Sequence, residues 1–133
     1  KWLTDNGYDI RHSFMVWCQG CTDGDRGTPT DVYKERTTTV LLDFLKDAGL
    51  DKCFLIQIGN HRDKPELYVR LQRAQEELAA ENEDIVMVSR LFKTFAEKGL
   101  MKDEFHYLQE GYNLVGAEAG AKVGRFLERD LNK

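Results

Sequence analysis

An aspartate and a histidine three residues apart, Asp103 and His106, carry the strongest chemical signal in this sequence of 133 residues. On a loop, this spacing lets a single turn of chain bring the carboxylate to one nitrogen of the imidazole. The carboxylate then fixes the tautomer and stabilises the imidazolium that forms when the other nitrogen takes a proton. A hydroxyl nucleophile needs such a base, because its own pKa lies far above neutral. By spacing alone, however, an ordinary surface loop is the commoner explanation.

The elements that must position this pair follow from three short apolar runs, which predict buried strands over residues 12–18, 53–58 and 85–88. Helical patterns separate the runs, so the sequence predicts a parallel sheet that is covered on both faces. In such a sheet the carboxyl ends of the strands share one edge, where ligands bind. We therefore expect Gln19-Gly20, Gly59-Asn60-His61 and Ser89-Arg90 to emerge at the site.

The helices carry recognisable start and stop signals. Thr28 is predicted to cap a helix with Pro29 in its first turn and Asp31 as the capping-box carboxylate, and Gly49 is predicted to end it. A second helix opens at Pro65, and a third runs over residues 110–131. The apolar spacing predicts two inward-facing stripes: Leu67, Leu71, Ala74 and Leu78 in the second helix, and Leu114, Ala117, Ala121 and Leu127 or Leu131 in the third.

Two longer motifs resemble a known family. The pattern D-x-x-H-Y-x-x-x-G-Y-x-x-V-G, from Asp103 to Gly116, resembles the last conserved block of the SGNH hydrolases. It is closest to the branch that contains sialate O-acetylesterases and acetylxylan esterases. Residues 16–23 (VWCQGCTD) resemble the strand-end block of that branch, W-x-Q-G-E-S-[DN]. The two blocks occur in family order, and the resemblance covers roughly residues 8–127.

This resemblance implies a three-layer α/β/α, flavodoxin-like fold, in which residues 1–133 are the C-terminal part of a single domain that lacks its N-terminal strands. It also implies a carbohydrate O-acetyl ester hydrolase. His106 would be the general base and then the general acid, and Asp103 would orient it. Gln19 would donate to the oxyanion, and Gly20 would shape the loop.

Three further residues are candidates for substrate contacts: Asp23, His61 and Arg70. Arg70 belongs to a helical segment that resembles the family's R-x-A-Q pattern, although the pattern is displaced here and Gln72 stands where the arginine would align with Gln75. A solvated loop histidine and an exposed helical charge explain His61 and Arg70 at least as well.

Two departures from the family leave the activity open. Cys21 replaces the usual glutamate, and the nucleophile block G-Q-S-N is absent. The sequence has two serines, Ser13 and Ser89, and neither sits in a tight glycine turn. One hypothesis is that the serine belongs to sequence outside this chain, so that the isolated chain is inactive and exposes a sheet edge through which it self-associates. The alternative is a truncated or degenerate domain that binds rather than catalyses. A flavodoxin-like interaction domain with accidental motif matches is a third, weaker hypothesis.

Composition bounds the remaining choices. The formal net charge is −4 and no block of Lys and Arg occurs, which argues against a nucleic-acid partner. No apolar run is long enough to cross a bilayer. The three cysteines are an odd number, which weakly favours a reduced, cytoplasmic compartment over a secreted one. Cys18-x-x-Cys21 has too few companions for a zinc site, and Cys18 and Cys53 fit small core positions. No metal or organic cofactor is implied, and the expected partner is an acetylated carbohydrate.

Overall fold

A three-stranded parallel sheet forms the centre of the computed structural model, which describes residues 1–131, with side chains through residue 129. The strands are β1 (Phe14–Trp17), β2 (Lys52–Ile56) and β3 (Ile85–Ser89), and they lie in the order β1-β2-β3. Both pairings are parallel, and the register of β2 on β3 shifts by a residue between Leu55 and Ile56. The predicted parallel α/β sheet is therefore confirmed.

The described residues form five α-helices: α1 (Trp2–Asp5), α2 (Cys21–Asp25), α3 (Thr30–Ala48), α4 (Glu66–Glu81) and α5 (Gln109–Phe126). A 3-10 turn follows β3 at Leu91–Thr94, and a π turn, Leu127–Leu131, extends α5. No helix among the described residues is both long and apolar enough to cross a membrane.

Helices cover the sheet from both sides. On one face, residues of α3 and α4 pack against alternate strand residues, in a cluster made of Leu41, Leu45, Cys53, Leu55, Leu78 and Ile85. On the other face, Phe54 and Val88 pack against Ala119 of α5. Because Phe54 and its two neighbours in β2 point to opposite sides and are all buried, this strand has to be apolar throughout. The result is a helix–sheet–helix sandwich.

The start of α3 differs from the prediction, whereas its end agrees. The N-cap position is taken by Pro29, and no side chain caps the helix. The hydroxyl of Thr28 donates instead to the carboxylate of Asp23, at 2.9 Å, so the predicted capping box is wrong. The hydroxyl of Thr28 is used in this loop contact and is not available to cap the helix. Gly49 adopts a left-handed conformation with φ 64° and ends the helix, as predicted.

The buried stripe of α5 also differs from the prediction. Gly111, Val115 and Ala119 are buried, whereas Leu114 is 44% exposed and Ala117 and Ala121 are exposed. At the start of the helix the inward position is held by glycine, because a Cβ at Gly111 would come within 3.0 Å of the Phe95 ring. Leu127 packs on the core as expected, and the side chain of Leu131 lies outside the described residues.

Strand β1 forms one edge of the sheet and pairs with β2 alone in the described part of the chain. Val16, on the face that α5 covers elsewhere, is 62% exposed. Trp2, Leu3, Tyr8 and Ile10 in the preceding segment are exposed as well. An apolar strand with a free edge is thus accessible, while self-association through it stays a prediction.

Two leucines test this assignment of the core. Leu41 is fully buried in the α3–α4 cluster, so Leu41→Ala should lower the free energy of unfolding by about 2–5 kcal/mol. Leu114→Ala is the matched control, and its effect should stay within about 0.5 kcal/mol. Urea denaturation followed by circular dichroism measures both. Equal losses in the two variants would contradict the assignment.

Candidate functional site

The loop before α5 folds Asp103 and His106 into one tight turn. Oδ1 of Asp103 accepts hydrogen bonds from the backbone N–H groups of Phe105 (3.1 Å) and His106 (2.7 Å). Its other oxygen, Oδ2, lies 2.8 Å from Nδ1 of His106. The carboxylate therefore holds both the turn and the imidazole, as the spacing predicted. Three donors to one carboxylate also lower its pKa to about 2, and the two backbone N–H groups have the largest effect.

The imidazole is held on one side and open on the other. With Nδ1 turned to Asp103, Nε2 is the nitrogen left to take or give a proton. The side chain is 57% exposed, and the ring of Phe105 lies against it with 4.5 Å between ring centroids. A histidine oriented by a carboxylate and accessible at its second nitrogen can serve as a general base.

His106 lines a cavity of about 410 Å³ at the carboxyl ends of the strands. Its wall includes Gln19 and Gly20, which follow β1, and Ile58 and Gly59, which follow β2. This is the edge of the sheet at which the sequence predicts a site, although Asn60, His61, Ser89 and Arg90 do not line the cavity. His106, Gln19 and Gly20, which the sequence placed in one site, do line one cavity.

The Gln19-Gly20 loop is fixed from several sides. The side-chain amide of Gln19 donates to Oδ2 of Asp23, at 2.7 Å, which leaves its second N–H for a ligand. Gly20 has a φ of 144°, and a Cβ there would lie 2.8 Å from the hydroxyl oxygen of Tyr33. Since any side chain would be strained and would clash, only glycine lets the chain turn here from β1 into α2.

Buried amides of α4 hold this loop, and sequence reasoning missed them. Gln75 donates to the carbonyl of Gln19 (2.9 Å) and to the hydroxyl of Tyr33 (2.8 Å), and it accepts from the N–H of Ile58 (3.0 Å). Gln72 donates to the carbonyl of Gly59, at 2.7 Å. Both glutamines are buried. The sequence does carry a signal for them, because Gln72 and Gln75 lie three residues apart among the apolar residues of the inner stripe of α4.

Gly59 sets the distance between the strand end and the loop that carries His106. A Cβ at this position would lie 1.8 Å from the hydroxyl oxygen of Tyr107 and 2.9 Å from the carbonyl oxygen of Phe92. Tyr107 is buried, and burial raises the pKa of its phenol. Tyr107, the residue after His106, therefore packs directly against the segment that follows β2.

The three candidate substrate-binding residues do not line this cavity. Asp23 is occupied by Gln19 and by the hydroxyl of Thr28. His61 is buried, and its Nδ1 accepts from two backbone N–H groups of the turn that precedes α4. Arg70 donates to the carbonyl of Thr28. Each bond stabilises a loop of the chain, and contact with substrate stays a prediction for all three.

Neither serine reaches His106. Ser13 precedes β1, at the opposite end of the sheet, where its N–H donates to the side chain of Asp51 at 2.7 Å. Ser89 is fully buried, and its hydroxyl donates to Glu118 at 2.6 Å. Neither lines the cavity. The hydroxyl that the Asp–His pair would activate is therefore not one of these two.

The three cysteines lie in different environments. Burial in the core raises the pKa of the Cys53 thiol to about 12. Cys53 is a core residue, as expected, whereas Cys18 is exposed and lines the cavity together with Cys21. The core placement of Cys18 is wrong, because β1 ends one residue before it. Among the described residues, no group of three or more His, Cys, Asp and Glu side chains could hold a metal ion.

Comparison with known proteins leaves the family open. No protein-family model, no curated protein and no solved structure matches the chain.

The low pKa of Asp103 is directly measurable. The chemical shift of its carboxyl carbon in nuclear magnetic resonance (NMR) spectra should titrate with a midpoint of about 2. This midpoint is below the pKa of about 3.9 for aspartate in an unfolded chain. Because the folded pKa is the lower one, the stabilisation is present above pH about 3.9 and is lost as the pH falls through about 2. In His106→Ala the two backbone donors remain, so the pKa should stay below its usual value. A midpoint near 3.9 in the wild-type chain would contradict the turn geometry.

The Gln75 bonds are testable through stability. Gln75→Leu removes three hydrogen bonds and leaves buried groups of Gln19, Tyr33 and Ile58 without this partner, so unfolding free energy should fall by about 2 kcal/mol or more. Gln109→Leu, at the exposed start of α5, is the matched control and should change it by less than about 0.5 kcal/mol. Urea titration reports both, and an unchanged midpoint in Gln75→Leu would refute the bridging role.

Proposed function

We propose that this chain is the acid–base and oxyanion-binding part of a carbohydrate O-acetyl ester hydrolase of the SGNH kind. One observation carries the proposal: His106, backed by Asp103 at 2.8 Å, lines the same cavity as Gln19 and Gly20. A base with an orienting carboxylate and preorganised donors are what acyl transfer by a hydroxyl requires. The motif resemblance supplies the substrate class.

In this proposal the reaction proceeds by proton transfer at Nε2 of His106. His106 takes the proton of a serine hydroxyl while the oxygen attacks the acetyl carbonyl carbon. The carbonyl oxygen gains negative charge and accepts from the free N–H of the Gln19 side chain and from the loop at Gly20. His106 then gives its proton to the departing sugar oxygen. Water repeats the sequence on the acetyl-enzyme and releases acetate.

The serine in this proposal comes from a segment outside these 133 residues. Ser13 and Ser89 are both bonded elsewhere. The free edge of β1 supports a place for the segment, because a strand added there in parallel would end beside Gln19 and Gly20. The isolated chain should then lack ester hydrolysis.

A second candidate is a glycan-binding domain without catalysis. Two observations favour it: no serine lines the cavity, and Cys21 stands at a position where the resembling branch has a glutamate. The third hypothesis, an interaction domain with accidental motif matches, would be favoured by Asp103 and His106 side chains lying far apart, and they lie 2.8 Å apart.

The enzyme proposal is tested by measuring ester hydrolysis in a polypeptide that contains both this chain and the segment with the serine. His106→Ala should lower kcat for p-nitrophenyl acetate by about 10³-fold or more, and Gln19→Ala by about 10²–10³-fold. His12→Ala, an exposed histidine at the other end of the sheet, is the control and should leave kcat unchanged.

Wild-type turnover in His106→Ala would refute the proposal. So would turnover by the 133-residue chain that is lost on replacing Ser13 or Ser89. If the longer polypeptide binds an O-acetylated methyl glucoside at this cavity and never hydrolyses it, the glycan-binding candidate is correct instead.

A further inference from the structure

The cavity that holds His106 has an unbalanced charge. Its lining includes one carboxylate, that of Asp25, and no Lys or Arg side chain among the residues that the structure describes. Arg62, on the loop that follows Gly59, is paired with the carboxylate of Asp63 at 2.9 Å and is not part of the wall. A ligand in this cavity therefore meets the carboxylate of Asp25 with no Lys or Arg side chain in the wall, where His106 is the described residue that can gain a positive charge.

Asp25 is also held in a fixed orientation. Its Oδ1 accepts a hydrogen bond of 2.7 Å from the hydroxyl of Tyr68, which is itself fully buried beneath α2. In the described part of the chain no donor is bonded to its other oxygen, Oδ2. Gly24 makes this arrangement possible, because a Cβ there would lie 2.3 Å from the Tyr68 ring. The carboxylate thus offers an oriented acceptor on the cavity wall.

The same cavity offers aromatic surface to a ligand. Phe105 and Tyr112 both line it and are 39% and 42% exposed. Aromatic rings contribute apolar contact area, and a pyranose ring has a face of C–H groups and an edge of hydroxyl groups. A sugar can therefore place C–H groups against a ring while a hydroxyl donates to Asp25.

From these contacts we infer that the cavity selects neutral and amino sugars against sugars that carry a carboxylate, and that Asp25 is the residue that sets this selection. The inference rests on the proposed function for the ligand being a sugar. A hydroxyl or ammonium group donates to the carboxylate of Asp25, whereas a second carboxylate is repelled by it and finds no Lys or Arg in the described lining. Sialic acids and uronic acids are thereby excluded as preferred substrates.

Three methyl glycosides of one ring type test the inference on the 133-residue chain: methyl glucoside, methyl glucuronide and methyl glucosaminide. Each is titrated at low salt, and binding is read from the backbone amide signals of the cavity residues. The glucuronide should bind about tenfold or more weakly than the glucoside, and the glucosaminide at least as tightly. The difference should shrink as salt is added.

Three variants separate Asp25 from other causes. Asp25→Asn should bring the affinities for glucoside and glucuronide to within about twofold of each other, since an amide can donate as well as accept. Asp43→Asn changes the net charge equally but lies on α3 outside this cavity, and the ratio should stay at the wild-type value. Tyr68→Phe frees the carboxylate and keeps its charge, so glucoside affinity should fall while rejection of glucuronide persists.

Several outcomes overturn the inference. Equal binding of glucoside and glucuronide by the wild type overturns it and leaves the esterase proposal standing, as does loss of selection in Asp43→Asn. Failure of every glycoside to shift the cavity signals overturns it too. The esterase proposal is judged separately by the His106→Ala kinetics, so charge selection without hydrolysis would sustain the inference and reject the enzyme.

Discussion

The side chain of Gln75 is the contact on which the geometry of the site depends. One amide group joins the carbonyl of Gln19 in the loop after β1, the N–H of Ile58 after β2 and the hydroxyl of Tyr33 on α3. Without Gln75, the Gln19 carbonyl would keep the hydrogen bond from the Tyr33 hydroxyl, whereas the buried N–H of Ile58 would lose its acceptor.

The neighbouring glutamines extend this polar layer under the cavity floor. Gln57, fully buried at the end of β2, donates to the carbonyl of Gln72 and to the carboxylate of Glu76. The bond from Gln57 is the largest cause that lowers the pKa of Glu76. Among the described residues, the side-chain oxygen Oε1 of Gln57 has no hydrogen-bond partner. A polar layer in an otherwise apolar interface costs stability, and in return it fixes a single arrangement of the loops.

Local rules predicted the elements and the acid–base pair, because both depend on residues close in sequence. Apolar runs, Pro65 and Gly49 placed the strands and helices within a few residues, and the Asp103–His106 turn closes on itself without help from the rest of the chain. The failures arose from particular side-chain contacts that local propensities do not specify. Thr28 bonds to Asp23, five residues away, instead of capping, and α5 turns Gly111 inward where a Cβ would meet the Phe95 ring.

The polar contacts of α4 were beyond prediction for the same reason. A glutamine on an apolar stripe does not reveal from sequence which group it bonds. Its partner depends on how loops from two strands converge. His61 and Arg70 show the converse, since both looked available to a ligand and are bonded to the loops of their own chain.

Because Gly59 lies close to Tyr107, the segment after β2 contacts both the Gln19-Gly20 loop and the loop that carries His106. Gln75 and Ile58 connect this point to the Gln19-Gly20 loop, and Tyr107 connects it to the loop that carries His106. A change in the length of either loop would therefore alter the separation of His106 from Gln19 and Gly20.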